Sequence, residues 1–193
     1  MRVKALVTIR GTRSILFHRF SVDTAIPLER QERTGVAGND PEEWKRTVPV
    51  TPEGDLYLDA SYIFGCLRDA GKYLKAGKGS MQSKLAATLV VIEETILLDR
   101  KLPKGELLQD KTQPVYLDVR SVRNPNSKGR NIRYRVAASP GWKVSFTIDW
   151  DSTIVAEHQM KSILRDAGTL VGIGDGRSIG FGRFDIETVE MLP

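Results

Sequence analysis

Three features of this 193-residue sequence predict an α+β fold: a ferredoxin-like, RRM-type antiparallel sheet with helices on one face. The hydrophobic periodicities run strand, helix, strand, strand, helix, strand, which makes two β-α-β passes. A basic β-hairpin, residues 115–138, and a long irregular loop, residues 21–52, are inserted between them. A glycine-rich loop joins the last helix to the last strand.

Composition sets the outer bounds. The apolar fraction is 40% and the charged fraction 27%, ordinary for a globular protein with a real core. The net charge of +5 points toward a polyanionic partner. Cys66 is the sole cysteine and His18 and His158 are the only histidines, so neither a disulfide framework nor a transition-metal site is expected. No cofactor is called for. The first residues enter a strand pattern directly, and no apolar run reaches the length of a membrane span. The expectation is a cytoplasmic protein without a membrane partner.

The first strand or bent pair of strands is read from Val3, Ala5, Val7 and Ile9, then Ile15 and Phe17 beyond Gly11. It also carries Lys4, Arg10, Arg13, His18 and Arg19, so one edge is basic. Residues 21–52 hold four prolines and no clear period, which marks a functional or mobile connection. Trp44 within it either tethers the loop to the core or stacks on a ligand.

A turn at Pro52-Glu53-Gly54-Asp55 leads into a short strand at 56–58 and a helix capped by Asp59 or Ser61. Ile63, Leu67, Ala70 and Leu74 share its apolar face, while Arg68, Lys72 and Lys75 form a basic row. A second short helix at 81–89 is expected to run into one strand over 90–98, followed by a loop at 101–114.

Two strands, 115–122 and 131–138, flank a Pro-Asn-Ser-Lys-Gly turn. Residues 119–148 contain Arg120, Arg123, Lys128, Arg130, Arg133, Arg135 and Lys143 and no acid. A solvated hairpin and a phosphate-contacting basic finger are the two readings, and the one-sided charge favours the second. A strand at 142–150 follows. Asp151 or Ser152 is expected to cap the last helix, whose core face is Met160, Ile163, Leu164, Ala167, Leu170 and Val171.

That helix ends in Gly172-Ile173-Gly174-Asp175-Gly176-Arg177-Ser178-Ile179-Gly180-Phe181-Gly182. Glycine holds positive φ and lets backbone or ligand approach closely, and successive N–H groups in such a loop can cradle an anion beside Arg177. A C-cap and turn explain one or two of these five glycines. A dinucleotide fingerprint is excluded, because its order is strand, loop, helix.

This loop, with its two Gly-apolar-Gly pairs around a basic residue, resembles the glycine-rich loop of the RAMP superfamily of CRISPR-associated proteins. The helix-opening stretch Leu58-Asp59-Ala60-Ser61-Tyr62-Ile63-Phe64-Gly65-Cys66-Leu67-Arg68 and the basic hairpin are similar to those of the branch that forms the backbone of effector complexes. The resemblance implies an RNA-binding subunit that polymerises along a single-stranded guide RNA. Its partners would be copies of itself, other effector subunits and a target nucleic acid paired to the guide. It implies phosphate contacts at Arg19, Ser61, Arg68, Lys72, Gly172, Gly174, Arg177, Gly180 and Gly182, with Arg123, Lys128, Arg130 and Arg133 on the hairpin. Residues 21–52 would take the place of the family's thumb.

Two alternatives stay open. One is a RAMP-type endoribonuclease, with Asp40 (or Asp23) or His18 as the catalytic group. The other is a basic α+β module that assembles with proteins only.

Overall fold

The computed structural model describes residues 1–19, 40–123 and 129–193. Strands β1 (Arg2–Gly11) and β10 (Lys143–Asp151) are the centre of a six-stranded sheet. Its order is β11-β1-β10-β7-β3, where β3 is Asp55–Asp59, β7 Thr95–Lys101 and β11 Phe184–Leu192. A two-residue strand β6 (Val90–Val91) also pairs with β10. The strands β11, β1, β10 and β7 are antiparallel neighbours, and helices α2 (Ala60–Ala70) and α4 (Glu157–Asp166) provide the two crossovers. This is the ferredoxin-like, RRM-type arrangement, extended by β3.

The core forms because alternation on the strands meets helical spacing on the helices. Ala5, Val7 and Ile9 of β1 and Val144, Phe146 and Ile148 of β10 are buried together with Ile63 and Leu67 of α2 and Met160, Ile163 and Leu164 of α4. Both buried tryptophans satisfy their indole N–H: Trp142 donates to the carbonyl of Arg13 at 2.8 Å and Trp150 to that of Val155 at 2.9 Å. Trp142 also explains Gly11, where any Cβ would overlap its ring.

Several local expectations change. Within 21–52, residues 20–39 lie outside the described part, but Glu43–Thr47 forms a short helix, α1. Asp40 starts it by accepting from the backbone N–H of Glu42 at 3.1 Å. Trp44 packs partly buried against the core, as a tether.

Helix α2 is capped by Asp59, which accepts from the Ser61 N–H at 2.9 Å. It stops at Ala70, where the chain tightens into a turn in which the Tyr73 N–H donates to the Ala70 carbonyl at 3.0 Å; a Cβ on Gly71 would come within 2.9 Å of Gln82, at the start of helix α3 (Gln82–Thr88). Lys75 therefore lies in a small hairpin, β4 (Lys75–Ala76) with β5 (Gly79–Ser80), and the expected helical basic row does not exist.

The strand expected at 90–98 is broken between β6 and β7. There the Glu93 carboxylate accepts from the Thr147 N–H at 2.7 Å, replacing a backbone acceptor. Asp151 and Ser152 do not cap α4: Asp151 accepts from Thr153 N–H at 2.9 Å, and the first helical turn is closed by Gln159 accepting from Ala156 N–H at 3.0 Å. A π-helical turn, Ala167–Val171, then rotates Leu170 out of the core to 44% exposure.

Candidate nucleic-acid interface

A second sheet carries the site. Strands β8 (Val115–Arg123) and β9 (Arg130–Ala138) pair in register from Val115 opposite Ala138 to Arg123 opposite Arg130. Strand β2 (Ile15–Phe17) pairs with β9. On its other side the glycine-rich loop is stitched to the same segment: Asp175 N–H donates to Leu16 at 2.9 Å and Gly182 N–H to Ser14 at 2.8 Å.

The glycines are what permit this approach. Gly174 has φ +84°, and a Cβ there would lie 2.6 Å from the Leu16 carbonyl oxygen. Gly182 has φ +68°, and its Cβ would overlap the Ile173 carbonyl; the Ile173 N–H donates to the Gly182 carbonyl at 2.9 Å. Gly172 closes the same base. Gly180, at φ +90°, faces open space.

Charge then locks hairpin to loop. Arg135 is almost wholly buried and donates to Asp175 at 2.6 Å and to Asp118 at 3.4 Å. Arg120 Nε lies 2.8 Å from both Asp118 oxygens, and its guanidinium sits over the Phe181 ring at 4.5 Å. Burial pushes the Asp175 carboxyl up. The Arg135 hydrogen bond, the Gly176 N–H and the Arg135 and His18 charges more than offset that and hold it below its ordinary value.

Hairpin, loop and the end of α2 enclose a cleft of about 1000 Å³. Arg120, Arg123 and Arg133 line it from the hairpin, Arg177 from the loop and Lys72 from beyond α2. A smaller recess of about 230 Å³ holds Ser61, Gly65, Gly174 and Arg177. Two carboxylates steady these cations. Asp69 stands 3.0 Å from Arg68, 3.4 Å from Lys72 and 3.6 Å from Arg177. Glu43 accepts from Arg133, from the Tyr134 N–H at 3.1 Å, and is paired with His18 at 3.1 Å. Burial pushes both carboxyls up, but His18, the Tyr134 N–H and Arg133 at Glu43, and Arg68 and Lys72 at Asp69, more than offset it and hold each below its ordinary value.

No family model and no curated protein matches this chain. Among solved structures, a chain of the type III-B Cmr-beta complex bound to cognate target RNA aligns with TM-score 0.55 and 14% identity. The alignment covers 99% of this chain and 61% of that one, so this chain spans under two thirds of its neighbour. What this likeness shows is the fold. A type IV-B CRISPR complex aligns at TM-score 0.46 and 16% identity over 96% of this chain and 90% of that one, too weakly to argue from.

Of the sequence-derived candidates, His18, Lys72, Arg123, Arg133, Gly174 and Arg177 come together on the large cleft, with Ser61 on the adjoining recess. Others lie apart. Arg19 is hydrogen-bonded to the Tyr57 hydroxyl and sits over that ring at 5.7 Å. Arg68 is not among the cleft-lining residues, and Arg130 is exposed, 3.4 Å from Ser121. Asp40 is ion-paired with Arg46 outside the cleft. Gly172 and Gly182 serve the loop's own closure. Lys128 and Asp23 lie outside the described residues.

Sequence reasoning missed Glu43, Asp118 and Asp175, whose cations include ones distant in sequence, Asp69, which joins its neighbours Arg68 and Lys72 to Arg177, and Arg183, which also lines the cleft. The outer face of the main sheet is not an aromatic platform of the RRM kind. Its central strands present Lys4, Leu6, Thr8 and Arg10 opposite Asp149, Thr147, Ser145 and Lys143. Cross-strand pairs such as Thr8 with Ser145 at 2.8 Å fill it. Among the described residues no cluster of His, Cys, Asp or Glu is placed to hold a metal ion, and no helix is long and apolar enough to cross a membrane.

Proposed function

We propose that the protein is an RNA-binding subunit of a CRISPR-type effector ribonucleoprotein, assembling in copies along a single-stranded guide RNA. One observation carries this reading: Lys72, Arg120, Arg123, Arg133 and Arg177 converge on one cleft. Cations brought to a groove from different elements are the footprint of a phosphate backbone. The shared fold with a chain of an RNA-bound effector complex supports it. Contacts of this kind read backbone rather than base sequence. In this reading the hairpin strands contribute Arg120, Arg123 and Arg133 to the RNA.

The test is extraction and sequencing of nucleic acid that co-purifies through size exclusion, followed by anisotropy titration of labelled single-stranded RNA across a salt series. Protected RNA of regular length in particles larger than a monomer supports the reading. A nucleic-acid-free monomer with no affinity for single-stranded RNA overturns it and leaves the protein-assembly module.

His18 favours a second reading. It lines the cleft, and its ring nitrogen is held by Glu43 at 3.1 Å, the arrangement of an oriented general base. In that case His18→Ala abolishes cleavage of bound RNA without weakening its binding; a parent protein that leaves bound RNA intact removes this reading.

A further inference from the structure

Resting on the RNA-binding reading above, we propose that the cationic cleft seats a splayed-out nucleotide, with its base stacked on Tyr73. The observation is a chemical division within one cavity. Tyr73 is 57% exposed although it is aromatic, and it lines the same cleft as the cations. Leu170, Val122 and Ile179 line it too, exposed by 44%, 39% and 64%. Four exposed apolar side chains around a basic groove have no role in the core.

A cavity built only for phosphates has no use for an apolar rim, and one built for an apolar ligand has no use for this much positive charge. A single-stranded nucleotide matches both, because its base has a π-face and its phosphate a charge. A duplex does not, since its bases are stacked on each other.

The polar floor has capacity to spare. Arg135 lines the cleft with its side chain 3% exposed, and its Nε is buried without a hydrogen-bond partner among the described residues. Arg183 lines the cleft as well, with one terminal nitrogen in the same condition. Buried donors without a partner are rare and each calls for an explanation; both of these belong to residues that line the cleft.

Tyr73 is held at its backbone, where its N–H donates to Ala70 at 3.0 Å in the turn after α2. Its ring contributes little to the core, so its removal leaves folding intact.

The experiment measures binding of a single-stranded RNA carrying 2-aminopurine, by anisotropy and by fluorescence quenching, over a salt series. Tyr73→Ala is expected to weaken binding about tenfold, to abolish quenching and to leave the salt slope unchanged, while Tyr73→Phe behaves as the parent. Arg123→Gln is the contrast: it lowers the salt slope by about 0.7, the effect of one phosphate contact on a single strand. Parent-like binding and quenching by Tyr73→Ala, with Arg123→Gln weakened, overturns the stacking and leaves the RNA reading standing. A parent protein that binds no single-stranded RNA overturns both.

Discussion

Arg135 reaches from the middle of the basic hairpin to Asp175 in the glycine-rich loop, at 2.6 Å, and is itself buried to 3% exposure. It belongs to the most one-sided basic stretch of the sequence, yet its charge is largely spent inside the protein. Asp118, equally buried, takes its other side and also binds Arg120. The two parts of the candidate RNA site are thereby made one rigid unit.

Arg135→Leu leaves Asp118 buried with half its partners and frees Asp175. Removing one member of a buried pair costs about 3–5 kcal/mol. Denaturant unfolding should show a loss of that order. A variant within about 0.5 kcal/mol of the parent would mean the lock is unimportant.

The glycines of the loop rank by what a methyl group would meet. Gly180→Ala meets nothing but must hold φ +90°, a strain of roughly 1–2 kcal/mol. Gly174→Ala adds contact with the Leu16 carbonyl and the Ile15 side chain. Gly182→Ala drives its Cβ into the Ile173 backbone and should cost about 3 kcal/mol or more. Melting temperatures should fall in that order; an equal drop for all three would contradict the packing account.

Acid should unfold the protein through Glu43, Asp69 and Asp175. Each is held below its ordinary value, 4.5 for Glu43 and 3.8 for the aspartates, so the native state binds fewer protons than the unfolded one. Their stabilisation is fully present above those ordinary values and is lost as pH falls through the lower folded-state ones. Unfolding midpoints should stay level from pH 7 to about 5 and then decline. Glu43→Gln should lower the midpoint at pH 7, by the order of 1–3 kcal/mol in stability, with the gap closing as pH falls through the lowered folded-state value.

Burial pushes the Cys66 thiol up to about 12, despite the nearby Arg177 charge. Its reactive thiolate is therefore scarce at neutral pH. Iodoacetamide at pH 8 should leave Cys66 unmodified in the native protein and label it fully in denaturant, as read by mass spectrometry.

Asp40 accepts from the Glu42 N–H and pairs with Arg46, away from the cleft. Asp40→Ala should shift stability slightly and leave RNA affinity and any RNA cleavage unchanged. Loss of cleavage in that variant would return Asp40 to the catalytic candidates.

How much was legible in the chain follows from the range of each interaction. Alternation in Val3, Ala5, Val7 and Ile9, and helical spacing in Ile63, Leu67 and Ala70, are local signals. They determine strands, helices and their order, and with the handedness and connection rules that order leads to the ferredoxin-like sheet. The glycine-rich loop was equally visible, since a backbone requirement of positive φ is written in the residue itself.

Tertiary structure alone decided where the charges go. Arg133 and Glu43 are 90 residues apart, and Arg135 and Asp175 are 40 apart. No spacing rule joins such pairs, because ion pairing depends on distance in space after the sheet has closed. For the same reason the end of α2 at Ala70 could not be read from its own pattern. Leu74 continues the apolar period, but the helix ends at Ala70 in a turn, with Gly71 fitted closely beside Gln82, and Lys72 and Tyr73 line the cleft.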